Sequence, residues 1–527
     1  MDQESLHEHL LQPSFYPEKP SSVTFRETHI SRVYILDRHV YKMKKPVNLG
    51  FLDFSSLERR RFFCEEEVRL NSRFSTDTYL CVVPVCRDNG GLHIGLPGET
   101  VEYLVKMRRL PEELMLSRRL EEQKVDLHPE MARIARHLAD LHISEPVSNH
   151  DEGYSDLMHI RRNWEENFSQ TMTHIESSIS PDGFAALRSY VKRFLEDHEE
   201  LIDQRERDGW VRECHGDLHA EHICLTDPVR IYDCIEFNRR FRVSDILADI
   251  AFLLMDIDCH GRYDLSDALW QAYLDRLAAP APEELVRFYK VYRAYVRGKV
   301  AAISGSEPEV SEDLRGKAWH SASGYFNLAL GYILPPALLI TCGLMGTGKS
   351  SLAAELATAL RAELIRSDLL RLQFKNGPGT GEQAAYMDGA YRSELTEKVY
   401  GQMAEQAREH LKAGRTVILD ASFANAGHRH SMQQLAAGCS VPFAVLYCQC
   451  SRETALMRLY GRMQEGTDVS DGRVELYDIQ RIHFETPTDN EPVIEIKTSG
   501  RVDYTVNRLL GRMPAIIGET GLKKQKN

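Results

Sequence analysis

Leu338-Leu-Ile-Thr-Cys-Gly343-Leu344-Met345-Gly346-Thr347-Gly348-Lys349-Ser350-Ser351-Leu352 decides the fold of the second half of this chain. An uncharged apolar run meets a loop that fits G-x-x-x-x-G-K-S at every fixed position, and an Ala/Leu-rich stretch follows. The glycines let the backbone wrap closely with its N–H groups pointing inward, and the helix that follows adds free donors and a favourable dipole. Such a loop cradles the phosphates of a nucleoside triphosphate. Lys349 would reach the β- and γ-phosphates and the Ser350 hydroxyl would ligate Mg²⁺.

Outward from this loop, strands and helices alternate. Strands are expected at Leu338–Cys342, 363–365, Val417–Asp420 and 443–448, with helices at Lys349–Leu360, 393–413, 427–437 and 453–463. That alternation implies an α/β domain with a parallel sheet. Chemistry in such sheets gathers at the carboxyl ends of strands. Asp368 follows the second strand and Asp420 ends the third. One carboxylate is expected in the Mg²⁺ shell, the other to orient or deprotonate an acceptor hydroxyl. Arg458 and Arg462 are four apart on one helix face, suited to closing over a transferring phosphate. Thr467–Gly472 reads as a lid, and Arg429 as a candidate acceptor contact. Residues 338–490 resemble small P-loop kinases of the polynucleotide-, gluconate- and shikimate-kinase-like group, through G-L-M-G-T-G-K-S-S-L-A, I-R-S-D, V-I-L-D-A-S-F and R-L-Y-G-R. The resemblance implies phosphoryl transfer from ATP to a small hydroxyl acceptor.

The first half reads differently. Short β-rich segments at 23–28, 32–35 and 40–42 precede a helix over Leu57–Phe74 and strands at 80–85 and 102–107. Helical periodicity then dominates, interrupted by a β-rich island from Val211 to Phe237. The island holds Cys214-His215-Gly216-Asp217-Leu218-His219-Ala220-Glu221-His222, then Ile231-Tyr232-Asp233-Cys234-Ile235-Glu236. Two Asp residues across a short hairpin can serve one phosphoryl-transfer site, one as base and one as metal ligand. A metal-hydrolase reading of His215, Asp217, His219 and His222 is the alternative.

This cluster resembles the H-G-D-x-H-x-x-N motif of aminoglycoside and choline kinases, over about residues 20–325. The resemblance implies a protein-kinase-like α+β fold with Asp217 as base and Asp233 as Mg²⁺ ligand. It also implies Lys42 on the third strand paired with one of Glu65, Glu66 and Glu67, of which Glu67 is favoured, and Glu102–Lys106 as the hinge that receives adenine. Two departures stand out: His222 replaces the motif's Asn as a metal ligand, and the first hairpin carries Thr28 and Ser31 rather than glycines. The two domains together resemble bacterial proteins in which an aminoglycoside-phosphotransferase-like domain is fused to a P-loop kinase domain, with the stretches Y-K-M-K-K-P-V-N-L-G-F-L-D-F and D-C-I-E-F-N.

The expected organisation is an extension over 1–20, a kinase-like domain over 21–330, a linker at 331–336 around Pro335-Pro336, a P-loop domain over 337–512 and a flexible tail over 513–527. The net charge of −13 argues against a broad nucleic-acid surface. Eleven cysteines without a C-x-x-C pair suit a reduced cytoplasmic protein, and Cys448 with Cys450 reads as a core pair. The uncharged stretch 328–346 ends in the phosphate loop and is broken by prolines, so it is read as a junction and buried strand, not a membrane span. ATP and Mg²⁺ are the expected cofactors. Glu165, Glu166 and Asp256 are candidate contacts to a cationic acceptor. Rival readings are a nucleotide-dependent regulator whose first domain only binds ligand, and a 5′-hydroxyl nucleic-acid kinase.

Overall fold

A computed structural model describes residues 3–50, 52–122, 125–147, 157–307, 310–375, 389–465, 474–488 and 490–522. By internal contacts the chain divides into two units, residues 1–163 with 198–290, and residues 164–197 with 291–527. The expected linker at 331–336 falls inside the second unit. The expected lid at 467–472 lies outside the described residues.

The first unit opens with an antiparallel sheet of β1 (Thr24–Glu27), β2 (Ser31–Ile35), β3 (His39–Lys44), β4 (Tyr79–Asp88), β5 (Gly91–Ile94) and β6 (Glu99–Arg108), in the order β1-β2-β3-β6-β4-β5. One face packs Tyr34, Tyr41, Met43, Val85 and Leu104 into a core. The helix Gln3–Leu10 adds Leu6 and Leu10 to that core, so these first residues are an integral part of the unit. The other face receives the helix Leu57–Phe74, which Ser56 caps by accepting from the Arg59 N–H. After the sheet come helices and two short hairpin-like pairings: β7 (Val211–Glu213) with β10 (Val243–Asp245), and β8 (Ile223–Cys224) with β9 (Arg230–Ile231). Helix Ile246–Cys259 beneath them is buried on nearly every side, which its almost wholly apolar sequence explains. The first unit is thus α+β, an antiparallel sheet followed by helices.

The second unit is built on a parallel sheet of β11 (Leu338–Cys342), β12 (Glu363–Arg366), β13 (Val417–Asp420), β14 (Phe443–Gln449) and β15 (Val493–Lys497), in the order β12-β13-β11-β14-β15. Central strand β11 is fully buried, as an uncharged run requires in a sheet covered on both faces. Strand β15 was not among the expected strands, although Val493-Ile-Glu-Ile-Lys497 alternates in burial as an edge strand does. The last helix, Val502–Leu522, takes in the first part of the expected tail and buries Val506, Leu509, Leu510 and Met513, while 523–527 lie outside the described residues. Helices Pro181–Asp197 and Glu312–Tyr332 pack against it, tied by Asn507, which accepts from the Ser180 N–H at 2.7 Å and donates to Asn327 at 2.9 Å. Residues expected in the kinase-like domain are therefore part of the second unit's core. No helix among the described residues is long and apolar enough to cross a membrane.

Candidate active sites

The phosphate loop lies between β11 and the helix Lys349–Leu360. Gly343 and Gly346 have φ of 140° and 76°, and a Cβ there would lie 2.5 Å from the Cys448 carbonyl oxygen and 2.6 Å from that of Ala455. Only glycine satisfies both the dihedral and the space. Thr347 donates its hydroxyl to the Leu344 carbonyl at 2.7 Å, which tightens the turn. Lys349 Nζ donates to the same carbonyl at 2.8 Å. Burial pulls its ammonium below the ordinary lysine value, opposed by Cys448, Asp420, Cys342 and Asp368. A lysine held this way is poised for an anion. Ser350 and Ser351 begin the helix, where their N–H groups need partners.

Asp420 is buried at the end of β13 and accepts from the Thr341 hydroxyl at 3.1 Å, with Arg366 Nε 3.5 Å from its other oxygen. Asp368 lies at the first turn after β12, 3.5 Å from Arg371. Burial raises its carboxyl above the ordinary value; Arg371 opposes this and Asp420 adds to it. The two carboxylates and Lys349 share one electrostatic neighbourhood, as expected.

The arginines have separate surroundings. Arg458 donates to the Thr498 carbonyl at 2.6 Å and, with Gly348, Ser351, Arg462, Thr498 and Thr505, lines a cavity of ≈ 330 Å³. The Thr498 hydroxyl in turn donates to the Thr347 carbonyl at 2.7 Å. Arg458 thus borders a room beside the loop rather than its tip. Sequence reasoning missed Thr498, and also Gln480, whose side-chain oxygen accepts from the Met345 N–H at 2.8 Å. Neither belongs to a local motif.

In the first unit, Lys42 Nζ lies 2.6 Å from Asp233 Oδ1 and 2.8 Å from Glu67 Oε1. Glu67, rather than Glu65 or Glu66, is the partner: it is fully buried, whereas Glu65 and Glu66 pair with Arg61 and Arg69 on the helix surface. Lys44, two residues on and so on the same strand face, takes the other Glu67 oxygen at 2.6 Å and also Glu236. Burial opposes the charge on Glu67 and Asp233, but Lys42, with Lys44 for Glu67 and His222 for Asp233, outweighs it and holds both carboxyls below their ordinary range. Asp233 has φ of 65°, a costly conformation for a non-glycine residue. It is held there by the N–H of Asp233 donating to Tyr79 at 3.1 Å and that of Cys234 donating to Asn71 at 2.8 Å.

Asp217 is fixed by its neighbours. The N–H groups of His215 and Gly216 each donate to Asp249 at 2.9 Å. Burial opposes ionisation of Asp217, yet His219, His222 and His215 hold its carboxyl well below the usual range. His222 Nδ1 lies 2.9 Å from the Asp217 carbonyl oxygen, and its Nε2 lies 3.6 Å from Asp233 Oδ2. The sequence-distant Lys42, Glu67, Asp217, His222 and Asp233 are thus brought to one place.

Several expectations need correction. Arg429 is not an acceptor contact: it is buried, pairs with Glu491 through two bonds of 2.6 and 3.0 Å, and donates to the Phe423 and Glu485 carbonyls. Asp256 is also structural, accepting from the Ala220 N–H at 2.9 Å. Glu165 and Glu166 belong to the second unit. Strand β6 pairs with β4 along Glu102–Lys106 and with β3 over Leu104–Lys106, so the backbone of Leu104–Lys106 is already occupied on both edges. The Thr28 hydroxyl accepts from the Ser31 N–H at 2.9 Å and closes the hairpin, while Ser31 is buried, so neither replaces a phosphate-binding glycine. His215 spends Nε2 on the Tyr232 carbonyl at 2.9 Å and accepts the Asp217 N–H at Nδ1 at 3.3 Å, so both of its ring nitrogens are engaged.

The chain is 29% identical over 454 residues to the uncharacterized proteins Rv2004c of Mycobacterium tuberculosis and Mb2027c of Mycobacterium bovis, covering 85% of this chain and 88% of each relative. Among solved structures it is similar to a choline/ethanolamine kinase family protein from Mesorhizobium loti (12% identity, TM-score 0.38, 68% of this chain and 99% of that one). It is similar also to APH(2")-IIia in its GDP and kanamycin complex (14%, TM-score 0.37, 61% and 98%) and a gluconokinase from Sinorhizobium meliloti (17%, TM-score 0.27, 36% and 98%). Residues 338–487, the stretch that carries the phosphate loop and both of its carboxylates, match the family described as an AAA domain.

Proposed function

We propose that the second unit is an ATP-dependent kinase that transfers the γ-phosphate to a small hydroxyl acceptor. The observation that carries the proposal is the convergence of Lys349, Asp368 and Asp420 at the mouth of a complete phosphate loop. The residues present suit Mg-ATP. The loop supplies an ammonium whose present partner is a single carbonyl, and Ser350 and Asp420 supply the hard oxygens that Mg²⁺ selects. Mg-ATP would bring the transferable phosphoryl group with its charge partly neutralised. The chain's part is placement. Lys349 would hold the phosphates, Asp420 and Ser350 would hold the cation, and Asp368, with its raised carboxyl, would take the acceptor proton. The cavity beside Arg458 has the size for a nucleobase.

The first unit is proposed as a second phosphotransferase-like nucleotide site, with Lys42, paired with Glu67, placing phosphates and Asp217 as base. A regulator that binds nucleotide there without turnover is the second reading, favoured by His222 where the motif has Asn. The acidic chain of −13 charge suits a small acceptor better than a nucleic acid, and a cytoplasmic location with Mg²⁺ as cofactor is part of the proposal.

ATP consumption by the full chain is the test, across metabolites and 5′-hydroxyl oligonucleotides, with Lys349→Ala and Asp217→Ala assayed separately. Acceptor-dependent turnover lost in Lys349→Ala supports the kinase. No turnover with any acceptor rejects it. Turnover abolished by Lys349→Ala but only modulated by Asp217→Ala supports regulation.

A further inference from the structure

The donors around Asp217 and Asp233 are not the ones Mg²⁺ selects. Mg²⁺ demands near-octahedral oxygen, whereas this site offers imidazole. His222 Nδ1 faces the Asp217 carbonyl oxygen at 2.9 Å, and a carbonyl can only accept, so Nδ1 carries the proton and Nε2 presents its lone pair. Fixing the tautomer through the other ring nitrogen is what metal-binding histidines require. The lone pair of Nε2 lies 3.6 Å from Asp233 Oδ2. Asp233 Oδ1 is taken by Lys42 at 2.6 Å, which leaves Oδ2 for an ion. Beside this pair, His219 Nε2 lies 3.5 Å from Asp217 Oδ2. One donor atom each from Asp217, His219 and His222 falls within 4.8 Å of the others. Two donors on one tetrahedral ion, each ~2.1 Å from it, are ~3.4 Å apart. Both pairs have nearly that separation.

We propose that the first unit binds a divalent cation of the borderline class (Zn²⁺ or Co²⁺) on His222 Nε2 and Asp233 Oδ2, with Asp217 and His219 as the adjoining donors, and discriminates against Mg²⁺. Mixed imidazole and carboxylate donors favour these ions by ligand softness. The ion's use rests on the reading of this unit as a phosphotransferase-like site; its binding does not. Asp233 lies 191 positions from Lys42, so the cation would be held where Lys42 already neutralises one oxygen of Asp233.

The test uses the full chain, stripped with chelator and free of nucleotide, in excess Mg²⁺. Co²⁺ is titrated while its visible absorption is followed, and Zn²⁺ is then added. One Co²⁺ per chain with the bands of nitrogen ligation, displaced by Zn²⁺, is expected. His222→Asn and His222→Gln are each expected to weaken Co²⁺ binding by about tenfold or more, and Asp233→Asn likewise. Circular dichroism identifies which variants fold, and the two His222 variants provide independent chances. Undiminished Co²⁺ binding in any folded variant, or absence of Co²⁺ binding by the parent protein in excess Mg²⁺, overturns the proposal. Because the readout involves no nucleotide, it stands apart from the kinase proposal, which fails or holds on turnover in the Lys349→Ala comparison.

Discussion

Lys42 and Asp233 are 191 positions apart in the chain and 2.6 Å apart in the fold. The pair joins the sheet of the first unit to its histidine-rich island, and Glu67 shares the same ammonium. Removing Lys42 leaves the buried Glu67 and the partly exposed Asp233 facing each other without their common counter-charge. Lys42→Met is expected to destabilise the first unit by about 1–3 kcal/mol, less than a fully buried pair because solvent screens Asp233. Denaturant unfolding followed by hydrogen exchange in that unit measures it. A loss below about 1 kcal/mol would show that Lys44 compensates.

The pH dependence of the proposed kinase should follow Asp368. Its carboxyl is raised by burial and by Asp420 against the pull of Arg371. A base works only when deprotonated, so kcat/KM is expected to fall as pH drops through that raised value, above the ordinary 3.8 of an aspartate. Asp368→Asn should lower kcat by about a hundredfold and remove that acid limb. An unchanged limb in the variant would assign it to another group.

Arg458 borders the cavity beside the phosphate loop and is held by Thr498. If a base stacks there, Arg458→Ala is expected to weaken nucleotide binding by about 1–2 kcal/mol while leaving the acceptor's KM unchanged. Calorimetric titration with ATP against inorganic triphosphate separates a base contact from a phosphate contact, since only ATP should lose affinity.

Arg429 gives the opposite kind of result. Its guanidinium is buried and doubly bonded to Glu491, 62 positions away. Arg429→Met should cost about 3–5 kcal/mol of stability by leaving Glu491 unpaired. Acceptor KM in the folded fraction should not move. A selective rise in acceptor KM would restore it as a contact.

Lys299, half-buried, donates to Asn167 at 2.8 Å and to Gln170 at 2.7 Å. Burial lowers its ammonium to about 8, with Glu166 opposing. Between that value and the unfolded 10.5, the unfolded chain binds the extra proton, so stability rises with pH across this window. Compared with Lys299→Met, the parent protein's Tm should therefore increase relative to the variant from pH 8 to pH 10. A flat difference would contradict it.

Part of this protein was legible in its residues. The loop at 343–350 needs glycines at fixed spacing, one lysine and one hydroxyl, and these are local demands that no distant contact can replace. The alternation of strands and helices was likewise readable, because β11 and β13 are apolar runs of the length a covered strand needs. The resemblance of the island around Asp217 supplied Lys42 and Glu67 as partners, and the geometry joins them.

What remained hidden concerned long-range burial. Arg429 and Asp256 read as free charges in the sequence, and only the packed fold shows that Glu491 and the Ala220 N–H consume them. Thr498 and Gln480 carry no motif, yet folding brings them to the phosphate loop from 151 and 135 positions away. The helices at 181–197 and 312–332 have periodicity that fits either unit, and Asn507 and the last helix decide their place. The sequence by itself determined the backbone shapes and the chemistry available. Tertiary structure decided which charges were desolvated together, and desolvation is what divides a structural ion pair from a functional one.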